Sequence, residues 1–227
     1  MDFVVADRRS SDSSLVEMIW RTRSDREGAF MSTANIHWEI VLAKYRDRVS
    51  ITVRGPETRA SLAHYPADAE WLGITFRLGT FMPAFPLNRL TDRRDVELRV
   101  ASGNTFWLNG AVWEFPTYEN ADTFVKRLVR EELLVYDPVV DAVLQGRSLD
   151  LSPRAIQYRF QRATGLTYSK VQQIERARRA AALLESGHSI LDTVSEADYF
   201  DQSHLTNSLK RFIGQTPGRM VRALASG

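Results

Sequence analysis

The spacing of hydrophobic and polar positions differs between the two halves of the chain. In the first half, short segments rich in β-branched and aromatic residues end near Gly or Pro, which is typical of strands. One further segment alternates polar and apolar residues, as a half-buried strand does. The segments that predict strands are residues 37–43, 50–55, 71–82 and 95–101. Phe124, Leu128 and Val135 recur at roughly helical spacing, so we expect a helix over residues 120–135.

The second half carries only helical patterns, and one of them occurs twice. Each copy begins with a residue type that caps helix N-termini, Ser152 in the first and Asp201 in the second. Each copy ends at a glycine, Gly165 or Gly214, as expected just past a helix end. The apolar positions between them share the spacing i, i+4, i+7: Ile156, Phe160 and Ala163 in the first copy, Leu205, Leu209 and Phe212 in the second. The repeat predicts two helices of one design.

A shorter helical segment precedes the second of these helices. Ser189 and Asp192 have a spacing similar to a capping box, and they open a short helix that we expect to end near Asp198. A short helix, a turn and a second helix with a polar outer face make a helix-turn-helix, whose second helix enters the major groove of DNA. Residues 169–187 are rich in alanine and predict a long helix that joins two such units.

Three stretches carry a specific resemblance: LSPRAIQYRFQRATGLT, RARRAAALLESGHSILDTV and DQSHLTNSLKRFIGQTPGRM. Over residues 137–222 the chain resembles the DNA-binding domain of the AraC/XylS family of bacterial transcription regulators. The first half resembles, far more weakly, the cupin-like or uncharacterised N-terminal domains that precede this module in many family members. The resemblance implies an α+β chain. A mixed-β, cupin-like domain over residues 1–136 would bind an effector or a partner, and an all-α domain over residues 137–227 would hold two helix-turn-helix units joined by the long helix.

The resemblance also implies which side chains face DNA. Positions flanking the buried Ile156 and Leu205 would contact bases, and these are Arg154, Gln157 and Tyr158 in the first unit and Gln202, Ser203, His204 and Asn207 in the second. Arg suits the paired acceptors of guanine, whereas Asn and Gln suit adenine. The side chains better placed for phosphates, which set register and salt-dependent affinity, are Ser152, Arg159, Arg162, Lys210 and Arg211.

Five positions depart from the family's pattern, and one is Val194, where the first helix of the second unit usually has a small residue. Asp150 and Asp198 stand where the turn of each unit usually has glycine, and Asp adopts the left-handed conformation less readily than Gly. Gly146 lies inside the segment where the leading helix of the first unit should run. Asn207 stands where arginine is frequent on the second reading helix. The base preference of the family therefore cannot be transferred to this chain.

Charge and composition narrow the class of protein. Residues 137–227 hold 12 Lys+Arg against 9 Asp+Glu, whereas residues 1–136 hold 18 against 19, so the basic excess lies in the helical half. The absence of cysteine excludes disulfides and thiolate zinc sites. His37 and His64 form no HxH pair, so we expect no metal and no other cofactor. The N-terminus lacks a signal-peptide core and no apolar run could span a membrane, which predicts a cytoplasmic protein.

A cupin-like domain implies a ligand site inside its sheets. All five tryptophans lie in the first half, and aromatic walls with one or two polar groups favour flat, hydrophobic compounds. The same aromatic residues could instead fill the core. The predicted lining of the site consists of Trp38, Phe76, Phe81, Trp107, Trp113 and Phe115, with Arg77 or Glu39 as polar partners.

These patterns leave three functional classes. The leading one is a sequence-specific transcription regulator that responds to a small hydrophobic or aromatic effector, with a DNA operator, RNA polymerase and a second copy of the chain as expected partners. The second is a DNA-binding regulator whose first domain binds another protein or itself. The third is an enzyme fused to a DNA-binding module. The methyltransferases that resemble this arrangement need a nucleophilic cysteine, and no Ser-His-Asp spacing or phosphate-binding loop indicates other chemistry, so we expect no enzyme.

Overall fold

The computed structural model describes residues 7–92 and 95–225. Its strands are β1 (Asp7–Arg9), β2 (Val16–Ser24), β3 (Gly28–Ser32), β4 (Glu39–Tyr45), β5 (Arg48–Arg54), β6 (Ser61–Tyr65), β7 (Ala69–Phe76), β8 (Thr80–Phe81), β9 (Val96–Leu98), β10 (Thr105–Leu108), β11 (Ala111–Glu114) and β12 (Val135–Tyr136). Its helices are α1 (Leu87–Leu90), α2 (Ala121–Arg130), α3 (Val139–Leu144), α4 (Pro153–Thr164), α5 (Tyr168–Glu185), α6 (Ile190–Glu196), α7 (Gln202–Phe212) and α8 (Pro217–Ala225). Strands in the first half and helices in the second confirm the α+β class.

The chain packs as two compact units that do not follow the order of the sequence. The described residues of the first unit are 7–30, 37–56, 64–92 and 95–167, and those of the second are 31–36, 57–63 and 168–225. The first unit therefore includes α3 and α4, while two short segments of the first half pack with the later helices. This division differs from the boundary expected after residue 136. A functional boundary there stays a prediction.

A six-stranded antiparallel sheet forms the centre of the first unit. Its strand order is β1-β2-β7-β4-β5-β9. Ile19, Ile74, Ile40 and Val53 lie in register across β2, β7, β4 and β5, so they share one face of the sheet. All four side chains are almost fully buried. This row of branched side chains explains why the four strands form the core of the unit.

The predicted strands are confirmed with shifted ends. Residues 37–43 and 50–55 overlap β4 and β5, and residues 95–101 contain β9. Residues 71–82 are divided between β7 and β8, because the chain turns at Gly79, whose φ of +96° favours glycine. The helix predicted over residues 120–135 is α2, which ends at Arg130 before the chain continues into β12.

Aromatic side chains join the hairpin β10–β11 to α2. The ring centroids of Phe106 and Trp113 lie 6.3 and 5.8 Å from that of Phe124 on α2. The guanidinium carbon of Arg127, one turn later, lies 3.9 Å from the Trp113 ring. The first unit also holds α4, which contacts α1, α3 and β8. The first reading helix is thus part of the unit that contains the sheet.

The helix α5 organises the second unit. Its buried stripe comprises Val171, Ile174, Ala177, Ala180, Ala181 and Leu184. The helices α6, α7 and α8 each contact α5. The long helix predicted over residues 169–187 is therefore confirmed, and Gly187 follows its end with a φ of +93°.

Candidate nucleic-acid interface

The first reading helix, α4, has the ends that its sequence predicts. The hydroxyl of Ser152 accepts a hydrogen bond from the amide of Ala155 at 3.2 Å, and proline follows at the first helical position. Gly165 ends the helix with a φ of +75°. Phe160 and Ala163 are buried as expected. Ile156 is only half-buried, so the expectation that it is a buried position was wrong: the first turn of α4 is open on this side.

The residues predicted to contact bases on α4 are exposed. Arg154, Gln157 and Tyr158 lie in the first two turns of the helix, and 65% of Tyr158 is accessible to solvent. A helix N-terminus also presents free backbone amides, which favour an anionic partner such as a phosphate. This end of α4 can therefore meet both base edges and the DNA backbone.

Two arginines of α4 predicted to contact phosphates already have partners within the first unit. The Arg159 guanidinium donates to both carboxylate oxygens of Asp137, at 2.7 and 2.9 Å. This hydrogen bonding raises the pKa of Arg159 above its ordinary value. The guanidinium carbon of Arg162 lies 5.2 Å from the Phe81 ring, in cation–π geometry. Arg162 stays exposed, whereas Arg159 would have to leave a charged partner to reach a phosphate.

The turn of the second helix-turn-helix unit has an aspartate in a left-handed conformation. Asp198 has a φ of +54°, at the position where the sequence lacks the usual glycine. Two arginines of α5 hold it: Arg176 donates to its backbone carbonyl at 3.1 Å and Arg179 to its carboxylate at 3.2 Å. Before this turn, Ser189 caps α6 by accepting from the amide of Asp192 at 3.1 Å. The predicted cap and turn of the second helix-turn-helix unit are confirmed.

The second reading helix, α7, repeats the design of the first. Asp201 accepts a hydrogen bond from the amide of His204 at 2.7 Å, and the buried stripe is Leu205, Leu209 and Phe212, as predicted. Gly214 follows the helix with a φ of +81°. Burial raises the pKa of Tyr199, whose hydroxyl hydrogen-bonds to Ser208 of α7 at 2.8 Å. These contacts fix α7 to the turn that precedes it.

The side chains predicted to contact DNA from α7 all lie on its open face. Exposed residues on this face are Gln202, Ser203, His204, Asn207, Lys210 and Arg211. The imidazole of His204 packs edge-on against the Tyr199 ring, with centroids 5.1 Å apart, so its position is restrained. The amide and hydroxyl groups precede the two cations along the helix. This order places hydrogen-bonding groups at the N-terminal end of α7 and positive charges at its C-terminal end.

One residue of this surface was missed by the sequence reasoning. Phe200 precedes the capping Asp201, a position where an apolar side chain often packs against the fourth residue of the helix. That residue is Leu205, which is fully buried, whereas 92% of Phe200 is exposed. The ring of Phe200 is therefore available beside the reading face. The capping signal at Asp201 marks this position in the sequence.

The first helix-turn-helix unit differs from the second in its leading helix. We expected Gly146 to lie within this helix, but α3 ends at Leu144 and Gly146 takes a φ of +64° just after it. The left-handed turn predicted at Asp150 therefore occurs at Gly146 instead. Residues 145–152 then form a loop before α4. The first helix-turn-helix unit therefore has a longer turn than a compact helix-turn-helix.

The comparisons agree with this geometry. A family model described as a helix-turn-helix domain matches residues 146–223. Residues 146–223 are an AraC-type helix-turn-helix domain. All twelve side chains predicted to contact DNA lie within this helix-turn-helix domain. The chain is thus a DNA-binding transcription regulator, while the base and phosphate contacts of individual residues stay predictions.

Comparison with other proteins gave distant similarities only. No curated protein matches the chain. ToxT from Vibrio cholerae O395 is similar at a TM-score of 0.37 and 10% identity, over 92% of this chain and 97% of that chain. An apo ToxT variant from V. cholerae strain SCE256 gives 0.40 and 8% identity, over 94% and 99%. ToxT of strain O395 bound to (E)-4-(8-methylnaphthalen-1-yl)but-3-enoic acid gives 0.38 and 11%, over 91% and 97%.

Outside the helix-turn-helix domain, the residues predicted to bind a ligand pack mainly against other protein groups. Trp38 and Phe76 are buried and stack with ring centroids 4.1 Å apart, and the Trp38 indole donates to the Thr80 carbonyl at 2.6 Å. Phe81, Trp113 and Phe115 are buried too. Large aromatic side chains gain most by complete burial, so core packing alone accounts for these positions.

The polar and exposed members of the predicted set also have other roles. Glu39 accepts hydrogen bonds from Trp20, Thr75 and Arg54, each at 3.3 Å. Arg77 pairs with Asp141 at 2.9 Å. Trp107 is 42% exposed on the hairpin β10–β11. The cavity that the structure shows is lined by none of these residues, so a ligand site among them stays a prediction.

A different cavity opens at one end of the sheet in the first unit. It has a volume of about 440 Å³. Its lining comprises Arg21, Thr22, Arg23, Leu42, Lys44, Glu70, Trp71, Leu72, Pro116, Thr117, Tyr118 and Glu119. Arg21 is fixed by Asp7 at 2.7 Å, and its guanidinium carbon lies 4.5 Å from the Tyr118 ring. Hydrogen bonding with Asp7 raises the pKa of Arg21.

Within the described part of the chain, no three His, Asp or Glu side chains lie close enough to hold a metal ion. Over the same residues, no helix has the length and apolar character needed to cross a membrane.

Proposed function

We propose that this protein is a sequence-specific transcription regulator that reads DNA with α4 and α7 and responds to a small molecule bound in the first unit. The observation that carries DNA reading is the helix-turn-helix domain over residues 146–223, whose two capped helices present polar faces. We propose no catalytic step for it.

The proposed division of labour follows the order of side chains along each helix. Arg154 and Gln202 begin α4 and α7 and would contact base edges, together with Gln157, Tyr158, Ser203, His204 and Asn207. Ser152, Arg162, Lys210 and Arg211 would contact phosphates. Arg159 contributes less than these, because Asp137 already neutralises it.

The cavity beside Arg21 is the proposed ligand site. Its volume lies in the range of small-molecule sites, which are lined by apolar walls with a few placed polar groups. Leu42 and Leu72 face each other across paired strands, so they give one apolar wall. Two of the lining cations, Arg21 and Arg23, pair with nearby aspartates at 2.7 and 3.1 Å. Among the described lining residues, this leaves the Lys44 ammonium as the charge offered to a ligand. This lining favours a compound with an apolar body and one anionic group.

DNA reading is tested by selection from a random duplex pool with the full chain. The expected outcome is one enriched motif, bound at least about a thousandfold more tightly than a scrambled duplex at physiological salt. Equal affinity for both duplexes would contradict sequence-specific reading. The enriched duplex then serves as the probe in the experiments below.

Ligand binding is tested by a compound screen that follows melting temperature and tryptophan fluorescence, because Trp71 lines the cavity. A hit should lose at least about tenfold in affinity when Lys44→Gln removes a lining charge. The matched control is Lys126→Gln on α2, whose side chain is 66% exposed and does not line the cavity. Hits that bind both variants equally would place the ligand elsewhere.

One observation favours a second candidate, in which the first unit contacts a protein partner or a second copy. Trp107 and Val112 are register partners on the hairpin β10–β11, and they are 42% and 43% exposed. A paired apolar surface of this kind is typical of contact sites. Under this alternative, Trp107→Ser would reduce a dimer seen by sedimentation, and no compound would act through Lys44. A contact with RNA polymerase stays a prediction.

A further inference from the structure

Two short segments of the first half, residues 31–36 and 57–63, contact the C-terminal end of α7 within the second unit; we call them the clamp segments. The amide of Ala34 donates to the carbonyl of Phe212, and the amide of Ala60 donates to the carbonyl of Arg211, both at 2.7 Å. The last four carbonyls of a helix have no partner inside it. The clamp segments therefore supply two hydrogen bonds that α7 needs from outside.

The clamp segments are also bound to each other. The amide of Asn35 donates to the carbonyl of Glu57 at 2.9 Å, and the amide of Glu57 returns to the carbonyl of Asn35 at 2.8 Å. The Ser32 hydroxyl donates to the Glu57 carboxylate at 2.8 Å. Ala34 is fully buried and Glu57 is 9% exposed. Paired and buried segments of this kind form a defined support rather than a loose loop.

Close packing at Gly214 adds to these hydrogen bonds. A Cβ atom at this position would lie 2.6 Å from the Met31 sulfur and 3.1 Å from the Ala60 Cβ. Both distances are shorter than ordinary van der Waals contact, so a side chain here would push the Met31 side chain aside and crowd Ala60. The glycine that ends α7 thus serves the left-handed turn and the approach of the clamp segments together.

We propose that the clamp segments position the second reading helix on DNA. They hold the carbonyls at the end of α7, where Lys210 and Arg211 carry the proposed phosphate contacts. The clamp segments also continue directly along the chain into strands, since β5 ends at Arg54 and β4 begins at Glu39. The inference rests on the proposed function, because it names what orients one of its reading helices.

The test compares Gly214→Ala with Gly187→Ala in the full chain. Both glycines have a left-handed φ, +81° and +93°, so both substitutions carry a similar backbone penalty. Within the described residues, open space surrounds a Cβ at Gly187, whereas one at Gly214 would press on Met31 and Ala60 of the clamp segments. We expect Gly214→Ala to lose about tenfold or more in affinity for the selected duplex, and Gly187→Ala to stay within about twofold of the wild type.

A second variant separates positioning from general damage. Met31→Ala removes the sulfur that the new Cβ would meet, and Met31 is 38% exposed, so its loss is tolerable. The double variant Met31→Ala/Gly214→Ala should recover part of the lost affinity. Hydrogen exchange at the Ala34 and Ala60 amides should be slow in the wild type and faster in Gly214→Ala.

The outcomes distinguish the two proposals. A wild-type chain that selects no duplex overturns the proposed function, and the clamp segments then have no reading helix to position. Suppose instead that the wild-type chain selects a duplex and that the Ala34 and Ala60 amides exchange faster in Gly214→Ala. If Gly214→Ala then binds the duplex as tightly as Gly187→Ala does, the positioning role alone is overturned. An equal loss of affinity in both glycine variants does the same, because backbone strain then explains it.

Discussion

Replacing Asp137 by Asn should release Arg159 of α4 for DNA. In the structure the Asp137 carboxylate accepts two hydrogen bonds from Arg159, and its Oδ1 also accepts from the amide of Val139 at 3.0 Å. Asn keeps one oxygen for the Val139 amide. It loses the negative charge and puts an amide nitrogen, which cannot accept, in place of the second oxygen.

The cost to stability follows from burial. The Asp137 side chain is 11% exposed and that of Arg159 is 39% exposed, so the pair lies between a surface and a buried ion pair. Surface pairs contribute up to about 1 kcal/mol and charge-assisted hydrogen bonds about 1.5–3 kcal/mol, so we expect a loss of about 1–2 kcal/mol in the free energy of unfolding. If Arg159 then gains one phosphate, the log–log salt dependence should steepen by about one.

The matched control is Asp141→Asn. Asp141 lies on α3 and pairs with Arg77 at 2.9 Å, so this variant removes the same charge nearby without releasing a side chain of a reading helix. Urea unfolding and DNA titrations at several salt concentrations compare the two variants. Asp137→Asn should bind both selected and scrambled duplexes more tightly than Asp141→Asn does. Identical salt slopes in the two variants would refute the view that Asp137 keeps Arg159 from the phosphates.

Three further predictions concern stability. Asp198→Gly should raise the melting temperature, because relief of the left-handed strain is worth about 1 kcal/mol and exceeds the stabilisation from the exposed ion pair with Arg179. Asp198→Ala should lower the melting temperature, and thermal melts of the two variants decide this. Asp201→Ala should cost about 1 kcal/mol through loss of the α7 cap, and Asp201→Ser should retain most of it, as measured by urea unfolding. Sequence alone suggests that a fragment of residues 137–227 could fold by itself. Followed by circular dichroism, this fragment should melt well below the full chain, because α4 loses its contacts with α1 and β8 and α7 loses those with the clamp segments. An unchanged transition would contradict this.

Features encoded by neighbouring residues could be predicted from the sequence. The caps at Ser152, Ser189 and Asp201 each depend on an amide three residues later in the chain, so a local pattern identifies them. The glycines after α4 and α7 are equally local, because a left-handed φ is required at one position. The same holds for the apolar stripe of α7, which was confirmed residue by residue.

Features that depend on strand pairing could not be predicted. Arg21, Leu42 and Leu72 line one cavity only because β2, β7 and β4 are neighbours in the sheet, and β2 itself was missed because its outer residues are charged. Trp38 and Phe76 were expected to line a site, but a stacked and buried pair has the same composition as a ligand-binding wall. The clamp segments meet α7 from more than 140 residues away in sequence, and no local pattern marks such a contact.

The central claim is that α4 and α7 read bases at their N-terminal ends and bind phosphates further along. Titrations of Arg154→Ala, Gln202→Ala, Arg162→Ala and Arg211→Ala against the selected and scrambled duplexes, at several salt concentrations, test it most directly. The first two variants should lose about 1–3 kcal/mol on the selected duplex and little on the scrambled one. The last two should weaken binding to both duplexes similarly and reduce the salt slope by about one. An equal loss on both duplexes in all four variants would contradict the claim, because the helices would then attract DNA only by charge.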